Sequence, residues 1–224
     1  MPKKIINTIE QICIQYQIEN YSINPDGSID VDGNVDLSSR NLFILPLKFR
    51  RVLGNFNVQN NQLTNLYGSP IAVGGNFNSF NNQLTNFTNG PKWVGGDLYA
   101  YNNKLASLEG SPDEVVGNYY ISGNEYLENL IGCTLKIGAN FSFDDILSTY
   151  SGEEDILFEG DFFLNETNYS ASNAMKLPNV ILENIRHIKL ILKYQRYFMI
   201  WNNDLSLNRG NFNDLILEIE DGLA

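Results

Sequence analysis

The sequence is poor in the residues on which most catalytic and metal sites depend. Its 224 residues include one histidine and two cysteines, Cys13 and Cys133, which stand far apart. Two isolated cysteines form neither a zinc pattern nor a disulfide framework, so each is expected to be a small buried residue. Phosphate-binding loops, zinc-protease helices and nucleophile elbows are also missing. The sequence therefore predicts a protein that is not an enzyme and needs no metal or cofactor.

Long apolar runs and positive charge are also scarce. No stretch of about 18 apolar residues is available to span a bilayer, and the N-terminal residues do not form a secretion signal. With 15 basic and 26 acidic residues the net charge is −11, which repels the phosphate backbone of nucleic acids. We therefore expect a cytoplasmic protein with neither a nucleic-acid nor a membrane partner. The acidity permits a protein partner with a basic surface.

What the sequence has instead is a repeat of 21 residues. GNFNVQNNQLTNL begins at Gly54, and the closely similar GNFNSFNNQLTNF begins at Gly75. The period weakens after a one-residue insertion near Tyr126. Self-similarity at such a period indicates a solenoid of stacked coils. The residues that start a coil are Gly33, Gly54, Gly75, Gly96, Gly117, Ala139 and Gly160.

Within each unit the apolar positions are fixed. The second unit reads F-x-V-x-x-N-x-L-x-x-L, from Phe56 to Leu66, with Asn61 at its centre. Alternation at the start predicts a strand, and coils placed side by side form a parallel sheet with a spacing of about 4.8 Å. The asparagine is expected to bond the backbone of its own coil and of its neighbour. The unit resembles the leucine-rich repeat, L-x-L-x-x-N-x-L.

The rest of the chain completes a predicted fold class. Return segments such as YGSPIAVGG contain Gly and Pro without a helical pattern, so that side should be extended or turning. We expect a leucine-rich-repeat-like solenoid over 33–175, with a parallel β-sheet on the concave face and a turn or extended convex side. Residues 1–32 are predicted to form a cap of a helix and a hairpin. Residues 176–224 are predicted to form an α-helical cap, with a continuous helical apolar pattern from Leu177 and a second helix at about Asn213 to Leu223. Self-association through these helices is left open.

The concave face is the predicted binding surface. Counting from each starting glycine, positions +1, +3 and +5 should face the solvent. In the middle coils they carry several aromatic residues, which the repeat does not need there. Aromatic groups with a polar rim are typical of protein interfaces, although cross-strand pairing that stiffens the sheet is an alternative. The predicted partner-binding residues are Phe80, Asp97, Tyr99, Tyr101, Tyr120, Asp144 and Phe163.

Three stretches carry a wider resemblance. They are YSINPDGSIDVDGNVDLSSRNLFILPLKF, the repeated GNF-x-x-x-NNQLT-x-L-x-GSP, and WNNDLSLNRGNFNDLILEIEDGL. In them the chain resembles leucine-rich-repeat-like proteins encoded by large tailed bacteriophages. The resemblance implies a binding scaffold, without catalytic residues, that acts on a host protein in the host cytoplasm, such as an antiviral defence protein.

Two other functions stay open. Stacked tyrosines beside Asp and Asn also suit a glycan or a small molecule. Residues 144–175, where the repeat decays, are the place where an enzyme site would lie, although no acid–base pair is evident there.

Overall fold

The chain winds as a parallel β-solenoid in which each coil supplies one strand to each of two sheets. The computed structural model describes residues 8–127, 130, 132–134, 136–144, 157–158, 162–165, 179–204 and 206–223. We call the two sheets the front sheet and the back sheet. The solenoid follows a short helix and a hairpin and precedes a group of short helices.

The N-terminal elements are a helix and a hairpin, as the sequence predicts. Helix α1 spans Ile9–Tyr16 and begins with a capping box, because the Thr8 hydroxyl accepts from the Gln11 N–H and the Gln11 side chain accepts from the Thr8 N–H. Strands β1 (Tyr21–Ile23) and β2 (Ile29–Val31) pair antiparallel. Residues 1–7, the start of the predicted N-terminal cap, lie outside the described residues.

The front sheet confirms the period of the repeat. Its central strands place Phe56 beside Phe77, Phe77 beside Leu98, and Leu98 beside Tyr119, each 21 residues further along. The next partner of Tyr119 is Phe141, 22 residues on, because of the insertion. Its strands are β3 (Val35–Asp36), β5 (Phe56–Asn57), β7 (Phe77–Asn78), β9 (Leu98–Tyr99), β11 (Tyr119–Tyr120), β13 (Phe141–Asp144) and β15 (Phe162–Asn165).

The return segments form a second parallel sheet, which the sequence did not predict beyond extended or turning backbone. Its inward valines, such as Val73 and Val94, are buried. Most of its strands have two residues, too short to show an alternating pattern. Besides β1 and β2, the back sheet contains β4 (Phe49–Val52), β6 (Ala72–Val73), β8 (Trp93–Val94), β10 (Glu114–Val115), β12 (Lys136–Ile137) and β14 (Leu157–Phe158).

Apolar side chains from both sheets fill the space between them. Phe56 and Phe77 stack across neighbouring coils, with ring centroids 5.9 Å apart and planes within 4°, and Leu63 is fully buried. Cys13 and Cys133 are also buried and are not joined, as expected. Burial raises the pKa of the Cys133 thiol well above its usual range, so this cysteine is a packing residue and not a nucleophile.

The buried asparagines form the predicted ladder between coils. Asn82 donates to the carbonyl of Val58 in the preceding coil (2.9 Å) and of Ser79 in its own (3.1 Å). Its Oδ1 accepts from the N–H of Leu63 at 3.0 Å. Asn61, Asn103 and Asn124 repeat the pattern. The ladder starts at Asn61, which accepts from the N–H of Arg40, the residue that replaces asparagine in the first unit.

The C-terminal region is helical but more broken than its continuous apolar pattern predicts. Helix α2 (Asn179–Glu183), a 3₁₀ turn (Ile185–His187) and helix α3 (Ile188–Tyr194) follow one another. Helix α4 spans Arg209–Glu220, four residues earlier than the expected start at Asn213, because the Asn208 side chain accepts from the Asn211 N–H at 3.2 Å. Across the described part of the chain, the helices are too short or too polar to cross a bilayer.

Candidate functional site

Four aromatic rings gather on the solvent side of the front sheet. Phe80 stacks on Tyr101, with centroids 4.4 Å apart and planes within 12°. Tyr99 stacks on Tyr120 at 5.0 Å and 11°. The two pairs meet where Tyr99 and Tyr101 lie edge to face, 6.5 Å apart at 86°. We call these four residues the aromatic cluster.

Strand alternation explains why the rings lie on the outer side. In the fourth coil Leu98 and Ala100 are fully buried, whereas Tyr99 and Tyr101 between and after them are only half-buried. Strands β7, β9 and β11 are neighbours in register, so equivalent positions in consecutive coils lie side by side. The stacking of coils therefore brings together residues that are about 20 to 40 apart in sequence.

Asp97 holds one member of the cluster in place. The Tyr99 hydroxyl donates to Oδ2 of Asp97 at 2.8 Å. Burial, together with this hydrogen bond and the negative charge of Asp97, raises the pKa of Tyr99 to about 12. Oδ1 of Asp97 accepts from the backbone N–H of Asn118 at 2.7 Å and from its side-chain amide at 2.8 Å. Both carboxylate oxygens of Asp97 are thus occupied within the protein.

The +1 positions are exposed or half-buried, as expected, and they also form a ladder of hydrogen bonds at the corners of the coils. Oδ1 of Asn34 accepts from the N–H of Asn55 at 2.8 Å, and Oδ1 of Asn55 accepts from the N–H of Asn76 at 2.7 Å. Asn76 accepts in the same way from Asp97. A short side chain with an acceptor oxygen recurs at every +1 position, and this regularity is the signal that would have revealed the ladder.

Two other predicted residues lie further along the front sheet. Asp144 ends strand β13, and Phe163 lies in β15, where it pairs in register with Ser142. The side chains of Asp144 and Phe163 lie outside the described part of the structure. The described core of the candidate site is therefore the aromatic cluster.

The same face carries amide side chains, which are not among the predicted binding residues. Asn78 is the register partner of both Asn57 and Tyr99. Its Oδ1 is buried and has no hydrogen-bond partner. Gln59 continues the face one coil before Phe80. These residues occupy the same +3 and +5 positions as the aromatic residues, and this shared spacing is the signal that could have identified them.

A cavity of about 480 Å³ lies elsewhere, where the hairpin turn approaches the back sheet. Its lining includes Lys48, Arg50 and Lys92. The Lys48 ammonium lies 2.9 Å from the Asp26 carboxylate, and Arg50 is hydrogen-bonded to Asp30. The bonds to Ser28 and Lys48 hold the pKa of Asp26 well below its usual range. Since carboxylates of the chain neutralise two of its three cations, this cavity is the weaker candidate.

Metal binding and histidine chemistry are the other kinds of site considered for the described residues. They contain no group of three or more His, Cys, Asp or Glu side chains placed to hold a metal ion. The histidine, His187, accepts a hydrogen bond from the neighbouring Arg186 at 2.9 Å. No family model, curated protein or solved structure matches the chain. The geometry of the aromatic cluster is therefore the main guide to function.

Proposed function

We propose that the chain is a non-enzymatic scaffold that binds a protein partner on its front sheet through the aromatic cluster. The observation that carries this proposal is the double stack of Phe80 on Tyr101 and Tyr99 on Tyr120 on a solvent-facing surface. The core of the solenoid is complete without these rings, because residues such as Leu98 and Ala100 already fill it. Aromatic anchors surrounded by polar groups are the usual source of affinity at protein interfaces.

The cluster is organised before any partner arrives. Tyr99 is fixed by its bond to Asp97, and each ring has one face against its stacked neighbour. The strands beneath are tied by ladders of backbone and asparagine hydrogen bonds. A surface of this kind loses little side-chain freedom on binding, and this loss is otherwise about 0.5–1.5 kcal/mol for each flexible side chain.

Stiffening of the sheet is the competing explanation. An aromatic pair contributes about 0.5–1.5 kcal/mol beyond its buried area, so two pairs would add a modest amount to stability. A stabilising role predicts that removing the rings lowers stability and leaves partner capture unchanged. Binding predicts that a folded variant without the rings loses the partner.

The finer features of the proposal rest on the sequence resemblance. We place the front sheet on the concave side of a leucine-rich-repeat-like solenoid, with the terminal helices as caps. The partner would be a host protein, such as an antiviral defence protein, held in the host cytoplasm and blocked by occlusion or altered assembly. Exposed Tyr197, Met199 and Leu217 on the C-terminal region support self-association as a secondary property.

Glycan binding is the second candidate, and one observation favours it. The rings are flanked by the amide side chains of Asn57, Gln59 and Asn78, and such groups bond sugar hydroxyls as well as peptide groups. The stacked arrangement weakens this candidate, because sugars bind to open ring faces and one face of each ring is covered by its neighbour.

The proposal is tested by comparative capture from lysate of the cells in which the chain acts. The bait variants are wild type, Tyr101→Ala with Tyr120→Ala, and a matched control, Tyr67→Ala with Tyr126→Ala, which removes two exposed tyrosines outside the cluster. We expect a protein that is captured by wild type and control and lost with the cluster variant. Equal capture by all three baits, at equal folded content, would refute the proposal.

A further inference from the structure

The solvent face of the four central front strands carries no formal charge. This face is formed by the outward residues of β5, β7, β9 and β11 and by the residue two places after each strand. Their side chains are all amide, hydroxyl or aromatic. This is unusual for a chain with a net charge of −11. The nearest acid, Asp97, has both oxygens engaged by Tyr99 and Asn118. The residues on this face are Asn57, Gln59, Asn78, Phe80, Tyr99, Tyr101, Tyr120 and Ser122.

The rings are also poorly placed to receive a cation. A lysine or arginine binds over an open ring face within about 6 Å of the centroid. Here Phe80 and Tyr101 cover one face of each other, and Tyr99 and Tyr120 do the same. The ring edges, which stacking does not cover, carry the positive end of the aromatic quadrupole. Ring edges attract carbonyl oxygens and apolar groups more than they attract ammonium or guanidinium groups.

The hydrogen-bonding groups offered to a ligand are neutral. Of the three cluster tyrosines, Tyr99 is tied to Asp97, whereas the hydroxyls of Tyr101 and Tyr120 have no partner among the described residues. The half-buried amide side chains of Asn57 and Gln59 lie on the same face. Phenol hydroxyls and side-chain amides match the donors and acceptors of a peptide main chain.

We propose that the occupant of the front sheet is an uncharged polypeptide segment, bound through main-chain groups and apolar side chains and without ion pairs. This inference rests on the proposed protein-binding function and specifies the partner's chemistry. It replaces the basic partner that the acidic composition alone favours, because the four central strands carry no acidic side chain on this face and the nearest acid, Asp97, is hydrogen-bonded to Tyr99 and Asn118. Affinity should therefore depend little on ionic strength, since screening weakens charge pairs and leaves neutral contacts unchanged.

The test is a selection of random display peptides of about 12 residues on the immobilised full-length chain, run in parallel on Tyr101→Ala with Tyr120→Ala. We expect peptides that bind wild type and not the variant, with a net charge near zero. Their Kd, measured by calorimetry, should change less than about twofold between about 50 and about 500 mM NaCl.

The other outcomes separate this inference from the proposed function. Cluster-dependent peptides that are rich in Lys or Arg and lose affinity with salt would overturn the inference and leave the binding surface intact. If no cluster-dependent peptide emerges, but neutral oligosaccharides such as maltoheptaose bind and require Tyr101 and Tyr120, the site is a glycan site and the inference is wrong. The absence of any cluster-dependent ligand would overturn both the inference and the proposed function.

Discussion

The hydroxyl groups of Ser111 and Tyr119 lie 2.9 Å apart inside the solenoid. Two repeats earlier the same two positions are occupied by Ser69 and Phe77. Phe77 has no hydroxyl, and the buried Oγ of Ser69 is left without a hydrogen-bond partner. One repeat thus contains both hydroxyl groups of the pair, whereas the repeat two units earlier contains only the serine hydroxyl.

Completing or breaking this pair should move stability in opposite directions. Tyr119→Phe leaves the Ser111 hydroxyl unpaired and should lower the free energy of unfolding by about 1–3 kcal/mol. Phe77→Tyr offers Ser69 a partner and should raise it by about 0.5–1.5 kcal/mol. Urea titrations of both variants measure the two changes. A loss of stability in Phe77→Tyr equal to that in Tyr119→Phe would show that the two repeats are not equivalent.

Two neighbouring asparagines in one coil, Asn81 and Asn82, should differ sharply in their contribution to stability. Asn82→Ala removes three buried hydrogen bonds, and each group left unpaired costs about 1–3 kcal/mol, so a loss of several kcal/mol is expected. Asn81 has a φ of 52°, and its side-chain bonds to Asn60 and Asn102 are exposed to solvent. Glycine tolerates that backbone, so Asn81→Gly is the matched control and should cost less than about 1 kcal/mol. Thermal unfolding distinguishes the two, and similar melting temperatures would contradict the structural role of the buried ladder.

Gly75 lies at the corner of a coil, where an added side chain should destabilise the fold. A methyl group there would collide with the Oδ1 of Asn55, which accepts from the N–H of Asn76. Gly75→Ala should therefore lower the free energy of unfolding by about 1–3 kcal/mol. Gly210 is the control, since an added methyl group would approach only the Asn208 side chain, at 3.5 Å, within helix α4.

Gly210→Ala is expected to be neutral or to stabilise by up to about 1 kcal/mol, because alanine favours helices. Urea titration of both glycine variants gives the comparison. If both are equally stable, the corner is wider than the contact of Gly75 with Asn55 indicates.

Tyr99 should titrate at unusually high pH. Its pKa in the folded protein is about 12, above the ordinary value of 10.0. Because the folded state favours the protonated form, the stabilisation is fully present below pH 10.0 and is lost as the pH rises through about 12. Ultraviolet difference spectra should show a late-ionising tyrosine that disappears in Tyr99→Phe and persists in Tyr197→Phe. If the tyrosine signal that is lost in Tyr99→Phe titrates near pH 10.0 instead, the burial of Tyr99 and its bond to Asp97 are contradicted.

Much of the solenoid follows from its sequence period. The spacing of Phe56, Phe77 and Leu98 predicts their register, and the alternation beside them predicts that Tyr99 and Tyr101 face outward. These features were accessible because a repeat turns a contact between distant residues into a regular sequence interval. The clustering of the four rings follows from the same interval.

Other features depend on contacts that the period does not specify. Most strands of the back sheet have two residues and are defined by pairing with neighbouring coils. No local sequence pattern therefore predicts them. The role of Asp97 was also hidden, since its charge indicated an exposed acid while its oxygens bond Tyr99 and Asn118. The start of α4 was missed because the cap at Asn208 precedes the apolar pattern.

The central claim, that the aromatic cluster is a binding surface, is tested most directly by the Kd of the captured partner. We would compare wild type with Tyr101→Ala plus Tyr120→Ala, recording Kd by calorimetry and Tm on the same samples. The account predicts a loss of affinity of at least about 30-fold, as expected for two anchor residues, with Tm lowered by several degrees through the loss of the two stacks and the protein still folded. An unchanged Kd in the folded double variant would contradict the account.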